Sequence, residues 1–189
     1  PEDIAKQDTD KAPMIPIPTR RPAADHKAVS RAVDLITNAK SPVILAGNGS
    51  VRKRAAAQLR RLARKTGIPV VNTFMGKGAV PMDDPHSLFT MGLQGRDHVI
   101  KAFSDSDVVI TVGYDLVEYS PEAWNSERNH KIVHIDFEPA EIDQFYPVSV
   151  DVVSDLADGL WQINEEINRR HGEILPLFDI GQWAELRQT

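Results

Sequence analysis

The sequence contains no cysteine, and that absence excludes several kinds of site. Disulfides, thiolate nucleophiles and thiolate-bound zinc or iron–sulfur centres cannot be built from these 189 residues. A cysteine-free chain also fits a reducing compartment, so we expect a cytoplasmic protein. Any chemistry must therefore come from carboxylates, hydroxyls, imidazoles and backbone groups.

Long hydrophobic runs and an excess of positive charge are also lacking. Apolar runs such as Val108 to Val112 have about a quarter of the length that a membrane-spanning helix needs. The formal net charge is −5, so no overall positive field attracts nucleic acid or an anionic bilayer. We therefore expect neither nucleic acid nor a membrane among the partners.

The composition is that of a folded domain. Hydrophobic residues make up 41% of the chain and charged residues 26%, close to the average for globular proteins. A chain of this length can bury one extensive core. The first residues, Pro1 to Ala5, form neither a basic segment nor an apolar stretch, and we expect the sequence to be cut from a longer polypeptide.

Proline and helical periodicity divide the chain into three parts. Residues 1–24 carry prolines at 13, 16, 18 and 22, which predicts an extended interdomain linker. A folded domain is predicted over residues 25–170, beginning with Asp25 as the N-cap of a helix that ends before Ser41-Pro42. Residues 171–189 are expected to form a second linker.

Short apolar runs alternate with helical segments, which favours a parallel α/β sheet. The runs Val43 to Ala46 and Pro69 to Asn72 flank a helix predicted over Arg52 to Lys65, and together they form a βαβ unit. Other predicted strands are 107–112, 131–135 and an edge strand at 148–153; other predicted helices are 98–103 and 155–168, and 73–97 is interpreted as irregular. The predicted fold class is a Rossmann-like, doubly wound, mostly parallel sheet of about six strands flanked by helices.

Residues directly after the strands are the candidates for ligand binding, since ligands of doubly wound sheets lie beyond the carboxyl ends of the strands. Gly47-Asn48-Gly49 follows the first strand, and its two glycines let backbone N–H groups approach a pyrophosphate. The third glycine of the dinucleotide fingerprint is replaced by Arg52, and the second strand ends in Asn72-Thr73 instead of a carboxylate. Two interpretations stay open: a bound nucleotide with Asp136 on its ribose, or glycines that only let the strand turn into the helix.

Three other features have a structural interpretation beside a functional one. The loop from Tyr114 to Asn125 carries carboxylates without a paired base or nucleophile, so we interpret it as plugging a cleft or contacting another domain. The basic stretch from Arg52 to Lys65 is either a solvated helix face or an interface with an acidic domain. His130 and His134 share a strand face but lie roughly 13 Å apart, so we predict no metal site there.

A series of short segments in a fixed order carries a resemblance to a known family. The segments are Arg21-Pro22, 39–49, 67–71, Gly76-Lys77-Gly78, His86, 92–95, 107–113 and His134-Ile135-Asp136. Together they resemble the central domain of thiamine-diphosphate-dependent enzymes of the acetolactate synthase group. The segment from Gly113 to Asn125 replaces an arginine- and aspartate-rich, flavin-lining segment, so the chain looks most similar to the flavin-independent, catabolic members.

The resemblance implies the middle third of a three-domain enzyme that condenses two pyruvates into 2-acetolactate and carbon dioxide, in branched-chain amino acid or acetoin metabolism. It implies thiamine diphosphate and Mg²⁺ in the whole enzyme, held by the two flanking domains, and a homo-oligomeric assembly. This fragment is then expected to contain no catalytic residue, metal or cofactor, and FAD is not expected.

Residues that would line a remaining nucleotide groove can still be named from the motifs. They are Arg21, Gly47, Asn48, Gly49, Thr73, Gly92, Gln94, Gly95, Gly113, Asp136 and Glu138. Two alternatives remain beside the enzyme domain: a free-standing module that binds ADP, NAD or FAD, and a structural oligomerisation domain with the basic helix as its contact.

Overall fold

A six-stranded parallel sheet organises the described part of the chain. The computed structural model describes residues 21–92, 99–172, 176–179 and 181. The strands are β1 (Pro42–Ala46), β2 (Val70–Asn72), β3 (Ser87–Thr90), β4 (Val108–Val112), β5 (Lys131–Asp136) and β6 (Val148–Val153). Their order is β3-β2-β1-β4-β5-β6, and each neighbouring pair is parallel, which confirms the predicted fold class.

The helices begin and end at the residues that local chemistry favours. They are α1 (His26–Thr37), α2 (Lys53–Thr66), α3 (Ile100–Ser104) and α4 (Leu156–His171). Asp25 caps α1 by accepting a 2.9 Å hydrogen bond from Ala28 N–H, and Asp155 caps α4 through Ala157 N–H. Gly67 ends α2 with a φ of 77°, in the left-handed region that glycine adopts without strain. Both predicted caps and this helix end are confirmed.

The three long helices α1, α2 and α4 pack on one face of the sheet. Side chains such as Val33, Leu59 and Ile163 are fully buried against alternate strand residues such as Ile44 and Ile110. Alternate residues of a strand point to opposite faces, so β1 and β4, which are apolar except for Thr111, contribute to two cores. Burial of this aliphatic face is the main favourable contribution to folding.

The opposite face has little helix and many rings. The five-residue α3 supplies Phe103, and loops supply Tyr114, Trp124 and Tyr146. The Trp124 ring lies 5.5 Å from that of Phe103 and 6.2 Å from that of Tyr114. Aromatic packing of this kind fills the space that a second helical layer would occupy.

The structure corrects the interpretation of residues 73–97 as irregular throughout, because β3 lies inside that range. The strand is short, its register to β2 shifts, and Phe89 has a φ of 66°. A strand of this length with irregular backbone has no clear alternation in its sequence. The helix expected at 98–103 is observed as Ile100–Ser104, and its first expected residue, His98, lies outside the described residues.

The basic helix α2 forms ion pairs with its own chain. Arg61 Nη2 lies 2.8 Å from Glu165 Oε1 on α4, and Arg64 Nη2 lies 2.8 Å from the buried Asp84 carboxylate. The guanidinium of Arg64 and the hydrogen bonds from His86 keep the pKa of Asp84 below its usual value despite burial. These contacts favour the solvated-face interpretation of α2.

No helix within the described ranges is long and apolar enough to cross a bilayer.

A cluster of charges fastens α4 to α1. Arg170 donates to Glu166 at 2.6 Å on its own helix and to Asp34 at 2.5 Å on α1. Arg169 donates to both oxygens of Glu166, at 2.8 and 2.6 Å. The hydrogen bonds from Arg169, followed by those from Arg170, lower the pKa of Glu166 to about 2. Glu166 therefore stays ionised through the whole physiological range.

Replacing Glu166 with glutamine is expected to destabilise the chain in a pH-dependent way. At pH 7 the free energy of unfolding should fall by about 1 kcal/mol, because two arginines lose their carboxylate. A lowered folded-state pKa contributes stability above the unfolded-state value of 4.5, and this is lost as pH falls toward 2. Urea unfolding from pH 7 to pH 3 should show the two curves converging.

The matched control is Glu165→Gln, since the Glu165 side chain is 45% exposed and pairs with Arg61. It should cost less than about 0.5 kcal/mol at any pH in that range. Equal effects of the two substitutions would show that the Glu166 cluster has no special role.

Candidate functional site

The carboxyl ends of β1 and β4 meet through backbone, and glycine makes this possible. Gly47 N–H donates to Val112 O at 3.0 Å, and Gly49 N–H donates to Gly113 O at 2.8 Å. A Cβ added to Gly49 would lie 2.8 Å from Gly113 Cα, closer than real Cβ atoms approach a backbone. Gly113 has a φ of 57° and would also collide with Gly49 if it carried a side chain. Gly49 and Gly113 therefore allow the turns after β1 and β4 to make direct backbone contact.

The end of β2 adds a hydroxyl to the same edge. Thr73 follows β2, and its N–H donates to Ala46 O, the last carbonyl of β1, at 2.9 Å. Its hydroxyl accepts a 2.9 Å hydrogen bond from Gly76 N–H, so the β2–β3 connection folds back over the edge. The hydroxyl proton of Thr73 is thereby directed away from Gly76.

The Glu118 carboxylate accepts hydrogen bonds from the Thr73 hydroxyl and from two backbone N–H groups. Thr73 Oγ1 donates to Glu118 Oε2 at 2.5 Å. Asn48 N–H donates to the same carboxylate at 2.9 Å, and Asp115 N–H donates to Oε1 at 3.2 Å. We call these three donors, on Asn48, Thr73 and Asp115, the Glu118 seat. The sequence predicted that this loop either plugs a cleft or contacts another domain. The structure shows Glu118 of the loop reaching the strand ends, although Glu118 itself was not singled out.

Beside the seat lies a cavity of about 280 Å³ with acidic walls. The lining contains one arginine, Arg52, and five acidic residues. The acidic residues among those lining the cavity are Asp115, Glu118, Asp136, Glu138 and Glu141. Burial raises the pKa of Asp136, although its carboxylate accepts a hydrogen bond from Phe137 N–H at 2.5 Å. An incoming phosphate would meet more negative than positive charge here.

A buried polar chain forms one wall of the cavity. Tyr146 Oη lies 2.6 Å from Thr111 Oγ1 and 2.8 Å from His134 Nδ1, and His134 Nε2 lies 3.2 Å from Glu138 O. Burial raises the pKa of Tyr146, so its hydroxyl stays protonated at physiological pH. The ring nitrogens of His130 lie beside the carbonyls of Ser106 and Trp124. Both histidines are thus engaged in internal hydrogen bonding.

The residues named from the sequence fall into four groups. Those lining the acidic cavity are Asn48, Gly49, Gly113, Asp136 and Glu138. Gly47 and Thr73 adjoin it through the Glu118 contacts. Arg21 does not line it and instead forms a 3.3 Å ion pair with Asp155.

The remaining named residues belong to the segment after β3. Gly92 packs under the Tyr119 ring, where a Cβ would lie 2.9 Å from Cδ2. Gln94 and Gly95 lie outside the described residues. Within the described part, no three potential ligands are grouped as a metal would require. The donors that a nucleotide diphosphate would use are already bonded to Glu118, so the edge as it stands does not fit that group.

A pair of glycine substitutions distinguishes the cost of a steric collision at the added Cβ from the cost of a left-handed backbone. Gly113→Ala should reduce the free energy of unfolding by about 3 kcal/mol, since it combines left-handed strain with a collision against Gly49. Gly78→Ala should cost only about 1 kcal/mol, because Gly78 has a φ of 97° but no atom within 4 Å of the added Cβ. Chemical denaturation of both variants measures the difference, and equal losses would contradict the packing explanation.

Several curated proteins are similar to this chain over most of its length. It is 34% identical over 164 residues to the "Probable acetolactate synthase large subunit" of Methanococcus aeolicus, covering 84% of this chain and 27% of that protein. It is 31% identical over 169 residues to the "Acetolactate synthase" of Bacillus subtilis, covering 88% of this chain and 30% of that protein. It is also 31% identical over 197 residues to the "Acetolactate synthase large subunit" of Corynebacterium glutamicum, with 98% and 30% coverage.

The match to a family model agrees with these relatives. The chain spans less than a third of each relative's length, so it corresponds to one part of a longer protein in each case. The model for "Thiamine pyrophosphate enzyme, central domain" matches residues 29–163, which includes every strand and nearly all of α1. The chain therefore belongs to the family of thiamine pyrophosphate enzyme central domains.

Proposed function

We propose that this chain acts as the central domain of an acetolactate synthase that condenses two pyruvates into 2-acetolactate and carbon dioxide. The observation that carries the proposal is the match over residues 29–163, together with relatives that share that enzyme name. In the groove, the Tyr146 hydroxyl and the His134 ring are hydrogen-bonded to each other in a buried polar chain, and the Glu118 carboxylate is bonded to neutral donors. Such a domain supports a reaction that takes place elsewhere in the enzyme.

The proposed limits of the domain are residues 25–170, with linkers at 1–24 and 171–189. Hydrogen bonds from both proposed linkers to the domain support these limits. Asp155 N–H donates to Pro22 O at 2.8 Å, and Phe178 N–H donates to Thr66 O at 2.9 Å. Pro22 thus lies at the start of α4 and Phe178 at the end of α2, and we propose that the flanking domains connect at these two points.

In this proposal the cofactors belong to the whole enzyme. When bound, thiamine diphosphate would supply the carbanion chemistry that pyruvate condensation needs, and Mg²⁺ would assist in holding the cofactor. Both are proposed to bind the flanking domains. FAD is not proposed as a ligand, since its diphosphate would compete with Glu118.

An exposed apolar patch supports contact with a flanking domain of the same polypeptide. Phe74, Met75 and Met82, all in the β2–β3 connection, are 60%, 53% and 57% exposed. Grouped large apolar side chains on a surface mark an interaction site. The relatives are more than three times as long as the matched region, so chain is available to cover this patch.

We propose a cytoplasmic homo-oligomer for the assembled enzyme.

The direct test is an assay of the full natural polypeptide that contains these residues. Purified protein with pyruvate should release 2-acetolactate only when both thiamine diphosphate and Mg²⁺ are present. The 189-residue chain alone, assayed in parallel, should release none. A full polypeptide that binds both cofactors and consumes no pyruvate would overturn the proposal, and so would activity of the isolated chain.

A core substitution tests the supporting role of the domain. Leu59→Ala should lower the free energy of unfolding of this chain by about 3 kcal/mol, because Leu59 is fully buried. In the full enzyme it should reduce the amount of folded protein while kcat/KM for pyruvate per folded enzyme stays within about twofold. The control is Val117→Ala, whose side chain is 87% exposed. A large change in KM for pyruvate would place this domain in the catalytic site.

A further inference from the structure

Glu118 is a carboxylate held entirely by neutral groups. Its partners are two backbone N–H groups and one hydroxyl. Among the described residues no lysine, arginine or histidine forms an ion pair with it. A half-buried charge without a cation remains stable only when such donors converge on it. The Glu118 seat is therefore a formed anion-binding site that the protein's own side chain occupies.

The composition of the seat is that of a phosphate site. Proteins hold phosphoryl oxygens with backbone N–H groups of glycine-rich turns and with hydroxyls that need no rearrangement. Here the Asn48 N–H lies between two glycines, and a Cβ on Gly47 would lie 2.9 Å from Glu118 Oε1. The same Cβ would also collide with Gly113 O, so the absence of a side chain at Gly47 leaves room both for the neighbouring turn and for the anion.

A cation beside the seat is available to a larger anion. Arg52 lines the same cavity, is exposed, and forms no ion pair within the described part of the chain. A carboxylate carries one negative charge, whereas the greater charge of a diphosphate would also attract Arg52 in the same cavity. The guanidinium provides paired donors suited to phosphate oxygens.

We propose that Glu118 is an internal substitute for a diphosphate and that removing its carboxylate exposes a site for diphosphate groups. The native chain keeps the seat closed because Glu118, attached only three residues beyond Asp115, is always present at high effective concentration. The acidic residues around the cavity add repulsion against an entering phosphate. This inference concerns the chain's own residues and does not depend on the activity of the whole enzyme.

The test is a thermal-unfolding titration of the native chain and of Glu118→Ala with three ligands. Inorganic pyrophosphate and ADP share the diphosphate, and adenosine lacks it. For Glu118→Ala the unfolding midpoint should rise by about 3 to 6 °C when pyrophosphate or ADP reaches ten times its Kd. Adenosine should have no effect, and the native chain should respond to none of the three. Sodium chloride at equal ionic strength corrects for salt.

Two matched variants distinguish the effect of removing the Glu118 side chain from the seat from the effect of removing one negative charge. Glu118→Gln keeps the shape of the side chain and should leave the seat filled, so pyrophosphate should shift its midpoint by less than about 1 °C. Glu122→Ala removes an exposed carboxylate from the same loop and should behave like the native chain. A pyrophosphate response of Glu122→Ala equal to that of Glu118→Ala would overturn the proposal.

Other results also decide the question. A folded Glu118→Ala chain that responds to neither pyrophosphate nor ADP at about 10 mM would overturn the proposal. A response to ADP and adenosine without one to pyrophosphate would overturn it as well, because the nucleoside would then be the recognised group. If Glu118→Ala is unfolded at room temperature, pyrophosphate should restore its circular dichroism spectrum, since a ligand that binds only the folded state shifts the equilibrium. Failure of that rescue would contradict the inference.

Discussion

The backbone contact between the turns after β1 and β4 is the constraint on which the rest of the structure depends. These two strands lie side by side where the strand order reverses, with β2 and β3 on one side and β5 and β6 on the other. Gly49 and Gly113 bring their main chains together without side chains between them. The loop after β4 can then reach the ends of β1 and β2. Any side chain at these glycines would separate the two turns and move the loop.

The strand ends have the topology of a nucleotide-binding site, but the charges around them oppose the binding of a phosphate. Neutral donors at the ends of β1 and β2 converge on one point, as they would around a phosphate, but Glu118 satisfies them first. The adjacent cavity carries more acidic than basic residues. A diphosphate would have to displace an attached anion and enter a negative environment. The fold retains the topology of a ligand site, while its side chains oppose the ligand.

The two faces of the sheet are packed by different kinds of side chain. Three long helices cover one face with aliphatic side chains, and the Glu166 cluster joins α4 to α1. Loops cover the other face with rings, and the Tyr114 hydroxyl donates to Tyr119 O inside the loop that carries Glu118. Burial raises the pKa values of Tyr114 and Tyr146, so both stay neutral. Packing on both faces makes the sheet rigid, and a rigid sheet fixes the relative positions of the turns that follow the strands.

Most of the architecture was predictable from sequence because the signals are local. The strands β1, β4 and β5 follow from short apolar runs, and the ends of α1, α2 and α4 follow from Asp25, Gly67 and Asp155. The strand β3 was not predictable, because its pairing with β2 shifts register and one of its few residues has a positive φ. A strand of this kind is defined by its neighbour rather than by its own alternation.

The sequence by itself determined the parallel sheet, the turn glycines at the strand ends and the central-domain resemblance, since each depends on residues close together in the chain. Only the tertiary structure decided what those glycines do and which residue occupies the edge. Glu118 lies 70 positions from Asn48 and 45 from Thr73. The approach of these groups is set by the packing of β1 against β4, and no local pattern records a contact between residues so far apart.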